Sequence, residues 1–150
     1  MYLISACLCG INCKYNGKNN LDEKCLELFK SGDAILVCPE QLGGLSTPRT
    51  PAEIKGQVES VIIGIGSVIN NENEDVSEKF IRGAKETLKI AQEKNIHNAI
   101  LKDGSPSCGV NYIYDGNFNG TKIKGCGLTA HMLKKNNIKV ISEEQLGGEQ

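Results

Sequence analysis

Three cysteines in this 150-residue chain stand where an extended run would end and a loop begin. Cys7 follows the apolar run Tyr2-Leu3-Ile4-Ser5-Ala6, and Cys38 follows Ala34-Ile35-Leu36-Val37. Cys108 sits in the turn Ser105-Pro106-Ser107-Cys108-Gly109, just after Ala99-Ile100-Leu101-Lys102. Thiolates are nucleophiles and soft metal ligands, so three of them brought together have few uses. They would make a zinc site with one open position. They would hold an iron–sulfur cluster through three protein thiolates, leaving one iron without a protein ligand. Or they would form a catalytic thiol with redox partners. Any single cysteine after a strand is more often core than ligand, because Cys is among the most buried residue types. These three carry loop-forming flanks (Cys9-Gly10, Cys38-Pro39, Pro106-Ser107-Cys108-Gly109) that packing alone does not require.

The other candidates follow from the same rim. Glu40, two residues past Cys38, is placed to act as acid or base. Ser105 would donate a hydrogen bond to a ligand or organise its Ser-Pro turn. Arg49, in the stiff run Thr47-Pro48-Arg49-Thr50-Pro51, would bind an anion such as a phosphate. Lys102, Ser107 and Asp115 lie close to the same strand ends. Cys25 falls inside an expected helix and reads as packing only. Cys9 and Cys13 read as spare thiols on the rim, and Cys126 lies near a helix N-terminus, where a thiolate is stabilised. His97 and His131 read as ordinary loop and helix histidines.

Composition narrows the function classes. The net charge is −1, with 17 basic and 18 acidic residues interspersed, so no polyanion-binding surface is expected. Four Tyr, three Phe and no Trp leave little aromatic surface for stacking on bases or sugars. No run reaches the roughly 20 apolar residues of a membrane span, and Met1 to Ser5 lacks the basic start of a secretory signal. A soluble, cytoplasmic protein is expected, acting on a small molecule, with neither nucleic acid nor membrane as partner. Seven cysteines without a secretory mark then suggest metal binding or chemistry rather than disulfides. The spacing Cys7-x-Cys9-x3-Cys13 is neither a zinc ribbon nor a common ferredoxin run, so any site must be assembled by the fold.

The elements that would position these residues can be read from apolar periodicity. Buried strands are expected at 2–6, 34–37, 99–102 and 138–141. Helices are expected at 23–31, behind an Asp22 N-cap, at 75–94, and at about 127–136. Residues 41–51 should be loop, 58–69 extended as a hairpin excursion, and 112–116 a short strand and turn; the tail at Gly147-Gly148 should be loose. Strands alternating with helices predict an α/β layered domain spanning 1–150, with a mostly parallel, Rossmann-like sheet flanked by helices. In such sheets ligands bind outside the carboxyl ends of the strands, which would put Cys7, Cys38 and Cys108 on one rim.

The ordered motifs resemble a known family. Ser5-Ala6-Cys7-Leu8-Cys9-Gly10, Lys14-Tyr15-Asn16-Gly17, the run Cys38 to Arg49, Pro51-Ala52-Glu53-Ile54, Ala99 to Lys102, Ser105 to Gly109, Ile113-Tyr114-Asp115-Gly116 and Gly125 to Leu133 are similar to domain-of-unknown-function family 523, which includes the TudS thiouracil desulfidases. The resemblance implies an enzyme that takes sulfur from a thiouracil or thiouridine monophosphate, giving the oxo-base and sulfide. It implies a [4Fe-4S] cluster on Cys7, Cys38 and Cys108, whose open iron accepts the sulfur, with Glu40 and Ser105 as the catalytic pair. Arg49 and Lys102 would receive a nucleotide phosphate. A zinc- or cluster-binding module without catalysis is the alternative. The chain departs from the family pattern at Lys14 and Asn16, where Arg and Asp are common, and at Val110-Asn111, where Ser-Gly is frequent.

Overall fold

The computed structural model describes residues 1–148. Four strands form one sheet in the order β2-β1-β5-β8: β1 Tyr2–Ser5, β2 Ala34–Val37, β5 Asn98–Leu101 and β8 Lys139–Ser142. All three pairings are parallel, with Ser5 opposite Val37, Ile4 opposite Ile100 and Ile100 opposite Ile141. Each strand is a short apolar run because both of its faces are covered. Side chains alternate between those faces. Leu3, Ala99, Leu101 and Val140 enter one core with Ala91 of α4 (Ser77–Glu93) and Ala130 and Leu133 of α5 (Leu128–Lys135). Ile4, Ile100 and Ile141 enter the other, with Cys25 of α1 (Glu23–Lys30). Asp22 caps α1 as its sequence suggests, accepting from the Cys25 N–H at 3.1 Å.

Two antiparallel hairpins are added to this frame: β3 (Ala52–Lys55) with β4 (Ser67–Asn70), and β6 (Tyr112–Tyr114) with β7 (Lys122–Lys124). They close a third core in which Ile54, Val68 and Ile113 meet Phe80 and Ala84 of α4 and Leu128 of α5. The helix α4 therefore buries one face, its N-terminal half against the hairpins and its C-terminal end against the sheet.

Several elements differ from the sequence-based expectation. The first strand stops at Ser5, and Ala6–Cys9 forms a 3-10 turn closed by Gly10 at φ 88°. The segment 58–69 is not all extended: Val58–Ile62 is a helical turn, α3, that seats Val58 and Val61 in the hairpin core. The loop expected from 41 begins later, because Pro39–Leu42 forms α2, with Pro39 in the first turn where its missing N–H costs nothing. The tail expected to be loose at Gly147-Gly148 belongs to α6 (Glu143–Gly148).

Candidate active site

The order β2-β1-β5 makes the strands that precede Cys38, Cys7 and Cys108 immediate neighbours, and their parallel pairing puts all three carboxyl ends on one edge. A cavity of about 580 Å³ opens there, lined by Cys7, Cys38 and Cys108 together with Cys13, Glu40, Arg49, Lys102 and Ser105. The rim expected from the sequence is thus physically one chamber.

Each thiol is held by local structure. Cys7 lies in the 3-10 turn after β1, and the Asn20 side-chain amide points to its Sγ at 3.4 Å. Cys38 is the N-cap of α2, and its thiol lies 3.8 Å from the Cys13 carbonyl. Cys108 is fixed by a turn wound around one buried carboxylate. Asp103 is 3% exposed, and its Oδ1 accepts the N–H groups of Gly104, Val110, Asn111 and Tyr112 at 2.8–3.2 Å. Within that turn, Ser105 Oγ accepts from Ser107 N at 3.2 Å and Cys108 N at 2.7 Å. The Ser105 hydroxyl proton is left to donate elsewhere.

The sulfurs share one electrostatic environment. A hydrogen bond from the Cys13 thiol lowers Cys38 to about 7, against burial and the Glu40 carboxylate; the Gln41 N–H and Arg49 also lower it. The Cys13 thiol likewise lowers Cys7, aided by Asn20 against burial. Cys13 itself is pushed up, because as donor to Cys38 and Cys7 it is held as the thiol. Burial pushes Cys108 up, and the charges of Glu40, Cys7 and Cys38 push the same way, while Ser5 opposes them. Three sulfurs that repel one another as anions, Cys108 at the junction of core and cavity, suit a cationic group that they would share. Among the described residues no three His, Cys, Asp or Glu side chains form a group that could hold a metal ion. A single zinc needs its thiolates at about 2.3 Å from one centre, whereas a cluster takes each thiolate on a different iron and keeps them apart. Three thiols in one cavity are the donor type that such a cluster takes.

Glu40 lies in the first turn of α2 and pairs with Arg49 at 3.2 Å; their side chains are 14% and 8% exposed. Arg49 also donates to the Cys13 carbonyl at 2.9 Å, the Ser46 carbonyl at 3.3 Å and Thr47 Oγ1 at 3.0 Å. Lys102 pairs with Glu143 at 3.0 Å; burial lowers its pKa, but the Glu143 carboxylate raises it further. Both cations expected to meet a phosphate are thus engaged with acids of the chain itself.

The remaining sequence candidates separate. Cys13 lines the cavity, but Cys9 is buried in the core beside α1 and is not on the rim. Cys25 is fully buried, as expected. Cys126 packs between the two cores that flank α5. Ser107 is 1% exposed and hydrogen-bonded to Thr129 at 2.7 Å, so it ties the turn to α5. Asp115 closes its own hairpin turn by accepting from Asn117 N at 2.9 Å. His131 Nδ1 lies 3.7 Å from Glu59, away from the cavity lining. The sequence reading missed Asn20, Asp103 and Glu53, whose roles come from contacts across the chain. It also undervalued the aromatics: Tyr15, Tyr112, Tyr114 and Phe118, four of the seven Tyr and Phe, line this one cavity.

A family model described as 2-thiouracil desulfurase matches residues 2–145. The chain belongs to the 2-thiouracil desulfurase family. Among curated relatives it is 48% identical over 147 residues to the uncharacterized protein YbbK of Bacillus subtilis (strain 168), covering 97% of each chain. Among solved structures it is similar to the [4Fe-4S]-dependent thiouracil desulfidase TudS, with a TM-score of 0.87 and 38% identity, covering 98% of this chain and 93% of that one. The family's span takes in every residue that lines the cavity, from Ser5 to Gly120.

Proposed function

We propose that this chain removes sulfur from a thiolated uracil, giving the oxo-base and sulfide, with a [4Fe-4S] cluster carried on Cys7, Cys38 and Cys108. One observation carries the reading: in a member of the 2-thiouracil desulfurase family, those three thiols share a single cavity with Glu40 and Ser105 at the ends of neighbouring strands. The similar structure TudS is a [4Fe-4S]-dependent thiouracil desulfidase.

When bound, the cluster supplies Lewis acidity toward sulfur at an iron that no protein thiolate occupies. The chain's side chains do the rest. Exchanging C=S for C=O with water is a hydrolysis: the water oxygen bonds to carbon, the carbon–sulfur bond breaks, and no electrons enter or leave. Glu40 takes the proton of the attacking water and returns it as the sulfur departs. Its ion pair with Arg49 occupies Oε2 and fixes the carboxylate, which leaves Oε1 to handle the proton. Ser105, whose oxygen accepts two backbone N–H groups, directs its own proton to the heterocycle. Cys38 and Cys7, both lowered, are readily available as thiolates. A cytoplasmic setting agrees with seven unpaired cysteines. Among the described residues no helix is long and apolar enough to cross a membrane.

Anaerobic reconstitution tests the reading. Reconstituted protein should convert 2-thiouracil to equal amounts of uracil and sulfide. Protein that carries its full iron and acid-labile sulfide yet releases none would keep the cofactor and sink the reaction.

A further inference from the structure

Phe118 sits where packing gives no reason for it. It lies in the loop between β6 and β7 with φ 54°, in the left-handed region. Bulky side chains avoid that region, whereas the neighbouring Gly116 and Gly120 adopt positive φ without steric cost. The loop is nonetheless built to hold the ring there. Glu53 Oε1, from β3, accepts from Gly116 N at 2.9 Å and from Phe118 N at 3.3 Å. Gly116 is pressed so closely on β3 that a Cβ would lie 2.6 Å from the Ile54 carbonyl. Asp115 N donates to the Thr121 carbonyl at 3.0 Å and closes the base of the loop. Backbone strain at a residue that lines a cavity, over-determined by its surroundings, points to a use for that side chain.

The rings of the cavity share a pattern. Lys55 lies 6.0 Å from the Phe118 centroid, Lys14 lies 5.7 Å from Tyr15 and Lys122 lies 4.5 Å from Tyr112. Every cation–ring pair among the described residues thus falls on a ring that lines this cavity. Tyr112 and Tyr114 pack edge to face on each other, 6.3 Å apart at 88°. Phe118 has no ring partner of its own among the described residues. A flat heterocycle gains affinity through its faces and is oriented through its polar edge. In the proposed reaction Glu40 and Ser105 would address an edge, so a face remains to be supplied.

We infer that Phe118 is the platform on which the substrate's pyrimidine ring stacks, and that Glu53 is the positioning residue that fixes the platform. The inference rests on the proposed function for the identity of the ring. Its test compares wild-type, Phe118→Ala, Phe118→Tyr, Glu53→Ala and Glu53→Gln proteins. For each, kcat and KM for 2-thiouracil are measured, together with the calorimetric affinity for uracil, the unreactive product. Phe118→Ala should raise KM and weaken uracil binding about tenfold, the loss expected on removing a base-stacking ring, with kcat and the visible absorbance of the cluster little changed. Phe118→Tyr should restore both. Glu53→Ala should raise KM in the same way, and Glu53→Gln, which keeps an acceptor oxygen, should recover most of it. Unchanged KM and uracil affinity in Phe118→Ala would overturn the platform, as would a wild-type protein that binds no uracil. A wild-type protein that binds uracil through Phe118 but turns over no thiouracil would instead overturn the proposed function alone.

Discussion

Glu40 and Arg49 form an ion pair that is almost out of solvent. A buried pair of this kind is costly to desolvate and weak evidence for stability, so its use is better sought in chemistry. It holds one carboxylate oxygen still beside the sulfurs. Glu40→Gln keeps shape and hydrogen bonding but loses the proton acceptor. Sulfide release should fall about 10²–10⁴-fold, with iron content unchanged when assayed on the same samples. Retained turnover would move the acid/base role elsewhere. At this scale much of the site was legible. Cys7, Cys38, Cys108, Glu40 and Ser105 stand beside residues that force a turn after an apolar run, which is a local signal. Asn20, Glu53 and Phe118 were not legible, because their meaning lies in contacts 13 to 65 positions away along the chain.

Among the elements, α2 carries both Cys38 and Glu40, although it is only four residues long. A helix so short has little stability of its own and is held by its neighbour α4. The two meet through glycines: a Cβ on Gly43 would lie 1.9 Å from the Lys79 carbonyl, and one on Gly83 would lie 2.0 Å from the Pro39 carbonyl. Gly83 does not line the cavity, so Gly83→Ala tests the element and not the chemistry. It should push α2 off α4, lowering both iron loading and activity while far-ultraviolet circular dichroism still reports a folded chain. Full loading and activity would show that α2 tolerates displacement. The long helix α4 and the parallel strands were readable from periodicity within a residue or two. Both α2 and α3 were not, since four or five residues show no period and each is fixed by tertiary contacts. The hairpin β6–β7 was half seen, through Tyr112 to Gly116; β7 is exposed and bears no apolar run.

The whole molecule is a parallel sheet whose one edge is made chemical, and its stability is linked to that edge through Asp103. Burial alone would raise this carboxyl, but the N–H groups of Asn111, Val110 and Tyr112 and the Asn111 side chain lower it below its ordinary value. A depressed carboxylate stabilises the fold above its unfolded pKa of about 3.9 and loses that contribution as pH falls through the folded value. The unfolding midpoint should therefore vary little through Asp103 above about pH 5 and fall below about pH 4. Asp103→Asn should flatten that acid limb and lower stability at neutral pH; an unaltered acid limb would remove Asp103 as its source. The α/β class followed from apolar strands alternating with helices, and the shared rim from the carboxyl-end rule for parallel sheets; the aromatic wall of the cavity did not, because composition cannot say where rings gather.

The central claim is that Cys7, Cys38 and Cys108 together hold one cluster. Its most direct measurement is iron and acid-labile sulfide per chain, under anaerobic conditions, for wild-type protein and for Cys7→Ser, Cys38→Ser, Cys108→Ser and Cys126→Ser. About four of each are expected in the wild type and in Cys126→Ser, with marked loss in the other three. A folded Cys108→Ser chain that keeps its full iron and sulfide would contradict the claim.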